Sequence, residues 1–271
     1  MPRGASDLHA TSAVLTSHVL DLVSGRPATG VEAALFRIDA TGTHLVSRSS
    51  SNTDGRFDAP LLTVGDAVVG RYRLEFAIGS LHGARAGYLG VVPVAFSIAD
   101  PTAHYHVPLV VSPFGYSTYR GASPDRAPRE IDRWTVAAPS PDTFEAAPAE
   151  PVSGGLTTHV IDIARGCGAG PMTIEVFRLN EERDQFVKLA EARTTAEGRT
   201  MMPLLPAREV EAGTYELAFH IGRYFQDAGF GLGTAPFFEK ALVRFSVSSP
   251  GDRHHIPLLA APWGYTTYRG N

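Results

Sequence analysis

The chain has 271 residues, of which 44% are hydrophobic and 19% are charged, and these proportions suit a globular protein of about two domains. Its formal net charge of −4 disfavours nonspecific nucleic-acid binding, which needs a basic surface. No apolar run approaches the roughly 18–20 residues that span a bilayer, and the single cysteine, Cys167, excludes an intrachain disulfide framework, so we expect a cytoplasmic protein without membrane partners.

Short runs of alternating or β-branched residues recur between turn signals along the chain, as in a β-sandwich. The predicted strands of the first part are Thr16–Leu22, Glu32–Ile38, Tyr72–Ile78, Val92–Ile98 and His104–Val111. Those of the second part are Thr157–Ile163, Thr173–Leu179, Tyr215–Ile221, Leu242–Val247 and His254–Leu259. One short helix is expected in each part, after the Tyr72 strand and after the Tyr215 strand. The pattern predicts an all-β protein with two antiparallel sheets in each domain.

An internal repeat is the strongest organisational signal in the sequence. The block Leu15–Asp21 returns at Leu156–Asp162, and the block Pro113–Gly121 returns at Pro262–Gly270. Three further blocks recur in the same order, so the similarity is not due to chance. The residues between the copies are rich in Pro, Ala, Ser and acidic side chains and lack hydrophobic periodicity. We therefore predict a first domain over 13–122, a linker over 123–152 and a second domain over 153–271.

Four chemically capable residues recur in both copies at places where a scaffold would not need them. They are His18 and His159, Arg56 and Arg199, His106 and His255, and Tyr119 and Tyr268. Histidine can accept a proton near neutral pH, arginine supplies a fixed cation for an anion or an oxyanion, and a tyrosine hydroxyl can orient a ring substrate. Together these groups suit water attack on a carbonyl without a covalent protein nucleophile.

The same residues would also be compatible with structural roles or with a metal site. The arginines follow Asp-Gly and Glu-Gly turn dipeptides and could be surface turn charges, and the tyrosines could fill a sandwich core. His104 and His106 share one strand face and could form a three-histidine zinc site with His18. The second copy reads Arg-His-His at 253–255, so a pair of ligands two residues apart is not shared, and no metal is expected.

Together, the repeated blocks resemble 5-hydroxyisourate hydrolase, the enzyme member of the transthyretin family. The resemblance rests on Leu-Thr-Ser-His-Val-Leu-Asp, Thr-Asp-Gly-Arg, His-Tyr-His-Val-Pro-Leu and Ser-Pro-Phe-Gly-Tyr-Ser-Thr-Tyr-Arg-Gly, and on their counterparts in the second copy. It implies two tandem transthyretin-like β-sandwiches that act in purine degradation. The implied reaction is hydrolysis of 5-hydroxyisourate, the unstable product of urate oxidation, to 2-oxo-4-hydroxy-4-carboxy-5-ureidoimidazoline, without a cofactor.

The resemblance also implies residue roles and an assembly. Two histidines would polarise and deprotonate water, an arginine would hold the anionic heterocyclic substrate, and a tyrosine would complete the pocket. In the first copy these are His18, His106, Arg56 and Tyr119, and in the second they are His159, His255, Arg199 and Tyr268. Family sites lie in a channel between the subunits of a tetramer, so a homodimer of the tandem chain would form a pseudo-tetramer.

One departure from the family pattern leaves the substrate open. The family motif usually continues from Tyr-Arg-Gly to serine, whereas this chain has Ala122 and Asn271 in those places. One alternative is therefore a related cyclic-amide hydrolase or cyclase-type enzyme of a specialised pathway that acts on another heterocycle. A second alternative is a non-catalytic ligand-binding protein of the transthyretin type. The sequence also leaves open whether both copies are active.

Overall fold

The structure, a computed structural model, describes residues 13–82, 87–121, 155–233 and 235–270. The predicted linker over 123–152 and the terminal positions Ala122 and Asn271 lie outside the described residues. Strands dominate both halves of the described chain, and equivalent strands recur in the same order. The prediction of an all-β protein with two tandem domains is therefore confirmed, while the exact domain boundaries stay predictions.

The two repeats contribute the following strands. Those of the first repeat are β1 (Ala13–Thr16), β2 (Val19–Asp21), β3 (Arg26–Pro27), β4 (Glu32–Asp39), β5 (Gly42–Ser50), β6 (Leu62–Thr63), β7 (Gly70–Ala77), β8 (Val91–Ile98), β9 (Tyr105–His106), β10 (Leu109–Ser112) and β11 (Gly115–Tyr119). Those of the second repeat are β12 (Gly155–Thr157), β13 (Val160–Asp162), β14 (Cys167–Gly168), β15 (Thr173–Asn180), β16 (Gln185–Arg193), β17 (Gly213–Phe219), β18 (Ala241–Val247), β19 (Arg253–His255), β20 (Leu258–Ala261) and β21 (Gly264–Tyr268).

Helical structure is confined to short segments of the described chain. The helix predicted after the Tyr215 strand is confirmed as α1 (Ile221–Asp227), and a 3-10 turn covers Ala207–Glu209. In the first repeat the described residues on either side of 83–86 form turns, so the helix expected there stays a prediction. Neither described helix is long and apolar enough to cross a membrane.

Two predicted strands of the first repeat are each interrupted where the chain crosses between sheets. The prediction for Thr16–Leu22 is split because β1 pairs with β9, whereas β2 pairs with β10 in a different sheet. The prediction for His104–Val111 is split at Val107-Pro108, where proline has no N–H to donate to a ladder. These crossings place His18 between β1 and β2 and His106 at the end of β9.

Each repeat also has a four-stranded antiparallel sheet, with the orders β5-β4-β7-β8 and β16-β15-β17-β18. Alternate residues of the central strands face the core, and Leu35, Leu74 and Phe76 are fully buried in the first repeat. Removal of this apolar surface from water supplies most of the stabilisation of such a domain. The hydrophobic pattern gives no sign of β5 and β16, because most of their residues are exposed.

Strands β11 and β21 join the two repeats. They pair antiparallel, with Gly115 opposite Tyr268 and Tyr119 opposite Gly264. The pairing creates one eight-stranded sheet with the order β14-β13-β20-β21-β11-β10-β2-β3. A slip of one residue in this ladder would turn the side chains of a strand to the opposite face of the sheet, so burial of one face fixes the register.

A second seam joins the repeats beside this ladder. The backbone N–H of Ser97 donates to the carbonyl of Phe237 at 2.8 Å, and that of Ser246 donates to the carbonyl of Tyr88 at 2.9 Å. The buried hydroxyl of Tyr116 donates to the backbone carbonyl of Leu242 at 2.6 Å. Apolar side chains of both repeats belong to one buried cluster. The seam therefore makes the two repeats a single packed unit.

The substitution Tyr116→Phe tests this seam. It leaves the carbonyl oxygen of Leu242 without the phenol donor, so we expect the free energy of unfolding to fall by about 1–2 kcal/mol. Tyr119→Phe on the same strand is the matched control: its side chain is 47% exposed, and its change should stay within about 0.5 kcal/mol. Urea denaturation of the full chain measures both variants. Equal losses would contradict a stabilising role for the Tyr116 hydroxyl.

Candidate active site

A tight turn brings Arg56 against His18. The two residues form an isolated antiparallel bridge, and the N–H of Val19 donates to the carbonyl of Gly55 at 2.9 Å. Gly55 has a φ of +69°, and a Cβ at this position would collide with the carbonyl oxygen of Val19. Glycine is therefore required in the Asp-Gly-Arg turn for the arginine to approach the histidine. His159 and Arg199 form the same bridge in the second repeat.

The end of the first repeat packs against the second histidine. The N–H of Gly121 donates to the carbonyl of His106 at 2.8 Å, and a Cβ on Gly121 would lie 2.6 Å from Cδ2 of the imidazole. In the second repeat Gly270 donates to the carbonyl of His255 at 2.8 Å, and its Cβ would lie 2.5 Å from Cδ2. The glycine of the Tyr-Arg-Gly motif thus leaves the space in which each imidazole lies.

In the first repeat these bridges bring two imidazoles and a guanidinium together. The pKa of His106 is lowered from its ordinary 6.5 to about 4, first by burial and next by the positive charge of Arg56. His104 and His18 contribute smaller repulsions in the same direction. His106 is therefore a neutral imidazole at neutral pH, able to accept a proton.

The second repeat has the same electrostatic arrangement with one different neighbour. Burial again comes first in lowering the pKa of His255 to about 4, followed by the charges of Arg253 and Arg199. The pKa of His159 is also lowered, by burial and then by Arg199. Each site therefore presents at least one neutral imidazole, that of His106 or His255, beside a permanent cation.

The first histidine of each pair differs between the repeats. Nε2 of His18 is buried and has no hydrogen-bond partner among the described residues, whereas Nε2 of His159 lies 3.0 Å from the carbonyl oxygen of Glu197. An unsatisfied buried polar atom costs about 1–3 kcal/mol unless a ligand or water supplies its partner. In the first site a bound molecule could therefore form a hydrogen bond with Nε2 of His18. In the second site Nε2 of His159 already has a backbone partner.

The predicted tyrosines lie near the sites but outside the two clusters. Tyr119 and Tyr268 end β11 and β21, and each side chain is 47% exposed. No hydrogen bond within the described ranges joins either hydroxyl to a histidine. The tyrosines that fill the core are instead Tyr116 and Tyr265, each 2% exposed. The part of Tyr119 and Tyr268 in substrate binding stays a prediction.

Two histidines of the three-histidine zinc alternative, His104 and His106, contact the same hydroxyl group. Within the described segments, no group of three or more His, Cys, Asp or Glu side chains is placed to hold a metal ion. Nε2 of His104 instead lies 2.9 Å from Oγ1 of Thr16, and Nδ1 of His106 lies 3.0 Å from the same oxygen. Reasoning from residue chemistry missed Thr16 and its equivalent Thr157 as site residues, although each lies two residues before a repeated histidine.

Side chains of the second repeat pack against the segment that follows β11 in the first repeat. The guanidinium of Arg120 lies 5.1 Å from the ring of Tyr105, 5.1 Å from that of Phe237 and 5.2 Å from that of Trp263. Two of these three rings belong to the second repeat, and cation–π contacts of this kind are attractive. Because Arg120 immediately precedes Gly121, these rings hold the segment that packs against His106. The equivalent Arg269 lies 5.8 Å from the ring of Tyr88.

Comparison with known proteins shows which family the sequence of both repeats matches. Residues 15–121 and 156–270 each match the HIUase/Transthyretin family. The chain belongs to this family. Its two matched segments cover most of both repeats, so this member of the HIUase/Transthyretin family carries the family domain twice.

Individual relatives each correspond to about one repeat of this family member. 5-Hydroxyisourate hydrolase 2 from Rhizobium meliloti is 43% identical over 114 residues, which are 40% of this chain and 95% of that protein. 5-Hydroxyisourate hydrolase from Halalkalibacterium halodurans is 44% identical over 119 residues, which are 41% of this chain and 99% of that protein. The crystal structure of transthyretin from Sparus aurata matches with 26% identity and a TM-score of 0.38, over 41% of this chain and 98% of that chain.

The lowered pKa of His106 and of His255 predicts an acid-sensitive fold. The unfolded chain titrates these groups near 6.5 and the folded chain near 4, so between these pH values the unfolded state binds more protons. The free energy of unfolding should therefore fall as the pH drops from about 6.5 towards 4. Imidazole proton shifts followed by NMR against pH measure the two midpoints directly. Midpoints near 6.5 for both rings would contradict the electrostatic description of the sites.

Proposed function

We propose that the chain hydrolyses 5-hydroxyisourate to 2-oxo-4-hydroxy-4-carboxy-5-ureidoimidazoline in purine degradation. The observation that carries the proposal is the convergence of a neutral imidazole, His106, with His18 and the guanidinium of Arg56, repeated in the second copy. Relatives named 5-hydroxyisourate hydrolase match a stretch about the length of one repeat, over nearly their own whole length. The lone cysteine is compatible with a reducing cytoplasm, where we place the reaction.

The reaction adds one water molecule across a ring amide bond. The water oxygen bonds to the carbonyl carbon of the six-membered ring, and His106 accepts a proton from that water. The ring carbon–nitrogen bond then breaks, the proton passes to the leaving nitrogen, and the new carboxylic acid releases the second proton of the water to solvent and remains as a carboxylate. Histidine serves as base and then as acid, so no external oxidant, reductant or cofactor takes part.

Arg56 has two effects in this mechanism. Its guanidinium attracts the anionic substrate and stabilises the negative charge that develops on the carbonyl oxygen during water attack. In the empty site the same charge helps to keep the pKa of His106 near 4, below the range that favours proton transfer at neutral pH. A bound anion offsets the cation and raises the pKa of His106, so the imidazole becomes a stronger base when substrate is present.

The direct test generates 5-hydroxyisourate with uricase and follows its ultraviolet decay with and without the chain. We expect faster decay with the protein than without it. Decay at the spontaneous rate would defeat the proposal. Ligand-induced thermal stabilisation without turnover would then favour the alternative of a binding protein.

Removing the arginines should separate the two sites. We expect Arg56→Ala to remove the larger share of turnover, because only the first site has a histidine nitrogen left to bind substrate. Nε2 of His18 has no partner among the described residues, whereas Nε2 of His159 is hydrogen-bonded to the carbonyl of Glu197. The double variant with Arg199→Ala should lose on the order of 100-fold in kcat, as when an oxyanion donor is removed. The decay assay measures all variants, and Arg208→Ala, at an exposed arginine that pairs with Glu209, is the control. A fully active double variant would contradict the mechanism.

The proposed working assembly is a homodimer of the tandem chain. A cavity of about 300 Å³ and another of about 200 Å³ occur in the described chain, and no residue of either site lines them. Arg56, Arg199, Tyr119 and Tyr268 are exposed to solvent. Each site is therefore open on one side in a single chain, and a second chain packed over the eight-stranded sheet would enclose it.

Exposed apolar residues beside that sheet allow the assembly to be tested. Leu22 is 59% exposed and its equivalent Ile163 is 53% exposed, so burying them in an interface would be favourable. We expect about twice the 29.0 kDa chain mass by analytical ultracentrifugation, and the mass of one chain with reduced turnover for Leu22→Glu/Ile163→Glu. Leu45→Glu/Leu189→Glu, at exposed positions of the other sheets, should remain dimeric. A monomeric and fully active wild-type chain would refute the proposed assembly.

A further inference from the structure

One hydroxyl group of the first site lies between two imidazoles. Oγ1 of Thr16 is 2.9 Å from Nε2 of His104 and 3.0 Å from Nδ1 of His106. Parallel pairing of β1 with β9 produces this contact, because Thr16 lies directly opposite His106 in the register. A threonine hydroxyl has a single proton to donate and can accept through its lone pairs. Thr16 can therefore donate to only one of the two rings at a time.

The direction of this chain of hydrogen bonds decides what His106 can do. When Thr16 donates to His104, it accepts from the Nδ1–H of His106, and the lone pair of His106 is then on Nε2. When Thr16 donates to Nδ1 of His106, a neutral His106 must carry its proton on Nε2. Only the first arrangement leaves Nε2 able to take a proton from water, since the two nitrogens of a neutral imidazole cannot both accept.

We propose that His104 is a positioning residue of the first site: neutral His104 accepts the Thr16 proton and holds His106 with a basic Nε2, and protonated His104 reverses the hydrogen bonds and silences the site. The catalytic consequence rests on the proposed hydrolase function, whereas the choice of His106 tautomer does not. The ionisable groups that face His106 in addition to His104 are Arg56 and His18. An imidazolium His104 can only donate from Nε2, so Thr16 no longer donates to it and has its own proton free for Nδ1 of His106.

In the second repeat the hydrogen bonds around the equivalent histidine, His255, are arranged differently. Nδ1 of His255 is 3.0 Å from Oγ1 of Thr157, but that hydroxyl donates at 3.5 Å to the backbone carbonyl of His254. A carbonyl oxygen does not titrate in the working range, so Thr157 accepts from His255 at every relevant pH. Arg253 occupies the place of His104, two residues before the site histidine, and keeps its charge. The second site is thus arranged without a protonation switch.

This difference predicts that the two sites lose activity at different pH values as the pH falls. We call this pH the acid limit of a site. The first site is measured alone in Arg199→Ala and the second alone in Arg56→Ala, each as kcat/KM against pH. We expect the first site to lose activity at higher pH than the second, by about tenfold one pH unit below the midpoint of its fall. His104→Gln, whose amide oxygen can still accept from Thr16, should move this limit down to that of the second site. Arg253→Lys is the control in the second site and should leave its limit unchanged.

A spectroscopic readout keeps the proposal testable without substrate. In the full chain labelled with ¹⁵N-histidine, we expect Nε2 of His106 to show the shift of an unprotonated nitrogen at neutral pH and that of a protonated nitrogen as His104 titrates. Assignment uses the His104→Gln chain, in which Nε2 should become protonated only at the lower pH where His106 itself titrates, with a pKa of about 4. A protonated Nε2 at neutral pH, or no change as His104 titrates, would overturn the proposal. The expected tautomers without any turnover would instead uphold it and refute the hydrolase function.

Discussion

The antiparallel pairing of β11 with β21 is the constraint on which the rest of the molecule depends. It turns two small sandwiches into one unit, and the segments that follow these strands supply Gly121 and Gly270 against the site histidines. Each site is therefore built at an end of the shared ladder. A shift in the register of that ladder would displace the segments that carry Gly121 and Gly270, so the packing of the repeats and the chemistry of the sites are linked.

The second constraint is electrostatic. Partial burial lowers the pKa of His106 and His255, and the charge of a neighbouring arginine reinforces this effect. The arrangement holds the rings neutral in the free protein and makes their basicity respond to an arriving anion. Folding stability does not account for such a cluster, because a buried neutral imidazole next to a cation contributes little to the free energy of unfolding. Its presence in both repeats is consistent with selection for chemistry.

Three features could be predicted from the sequence: the repeat, the β-sandwich pattern and the four recurring residues. Each depends only on residue types that occur in a fixed order along the chain. It did not reveal the role of Thr16, since its contacts join residues 88 and 90 positions away and depend on a parallel strand pair. Strands β5 and β16 were invisible because their exposed side chains carry no hydrophobic period. The rings around Arg120 could not be foreseen either, because two of them come from the other repeat.

The two copies have diverged while keeping one frame. The first site leaves Nε2 of His18 unpaired among the described groups and places His104 beside Thr16, whereas the second engages His159 with a carbonyl. The most direct test of the shared chemistry is the decay rate of 5-hydroxyisourate with the full chain carrying both His106→Asn and His255→Asn. We expect this folded double variant to leave the spontaneous rate unchanged. Decay as fast as with the wild-type chain would contradict a catalytic role for these imidazoles.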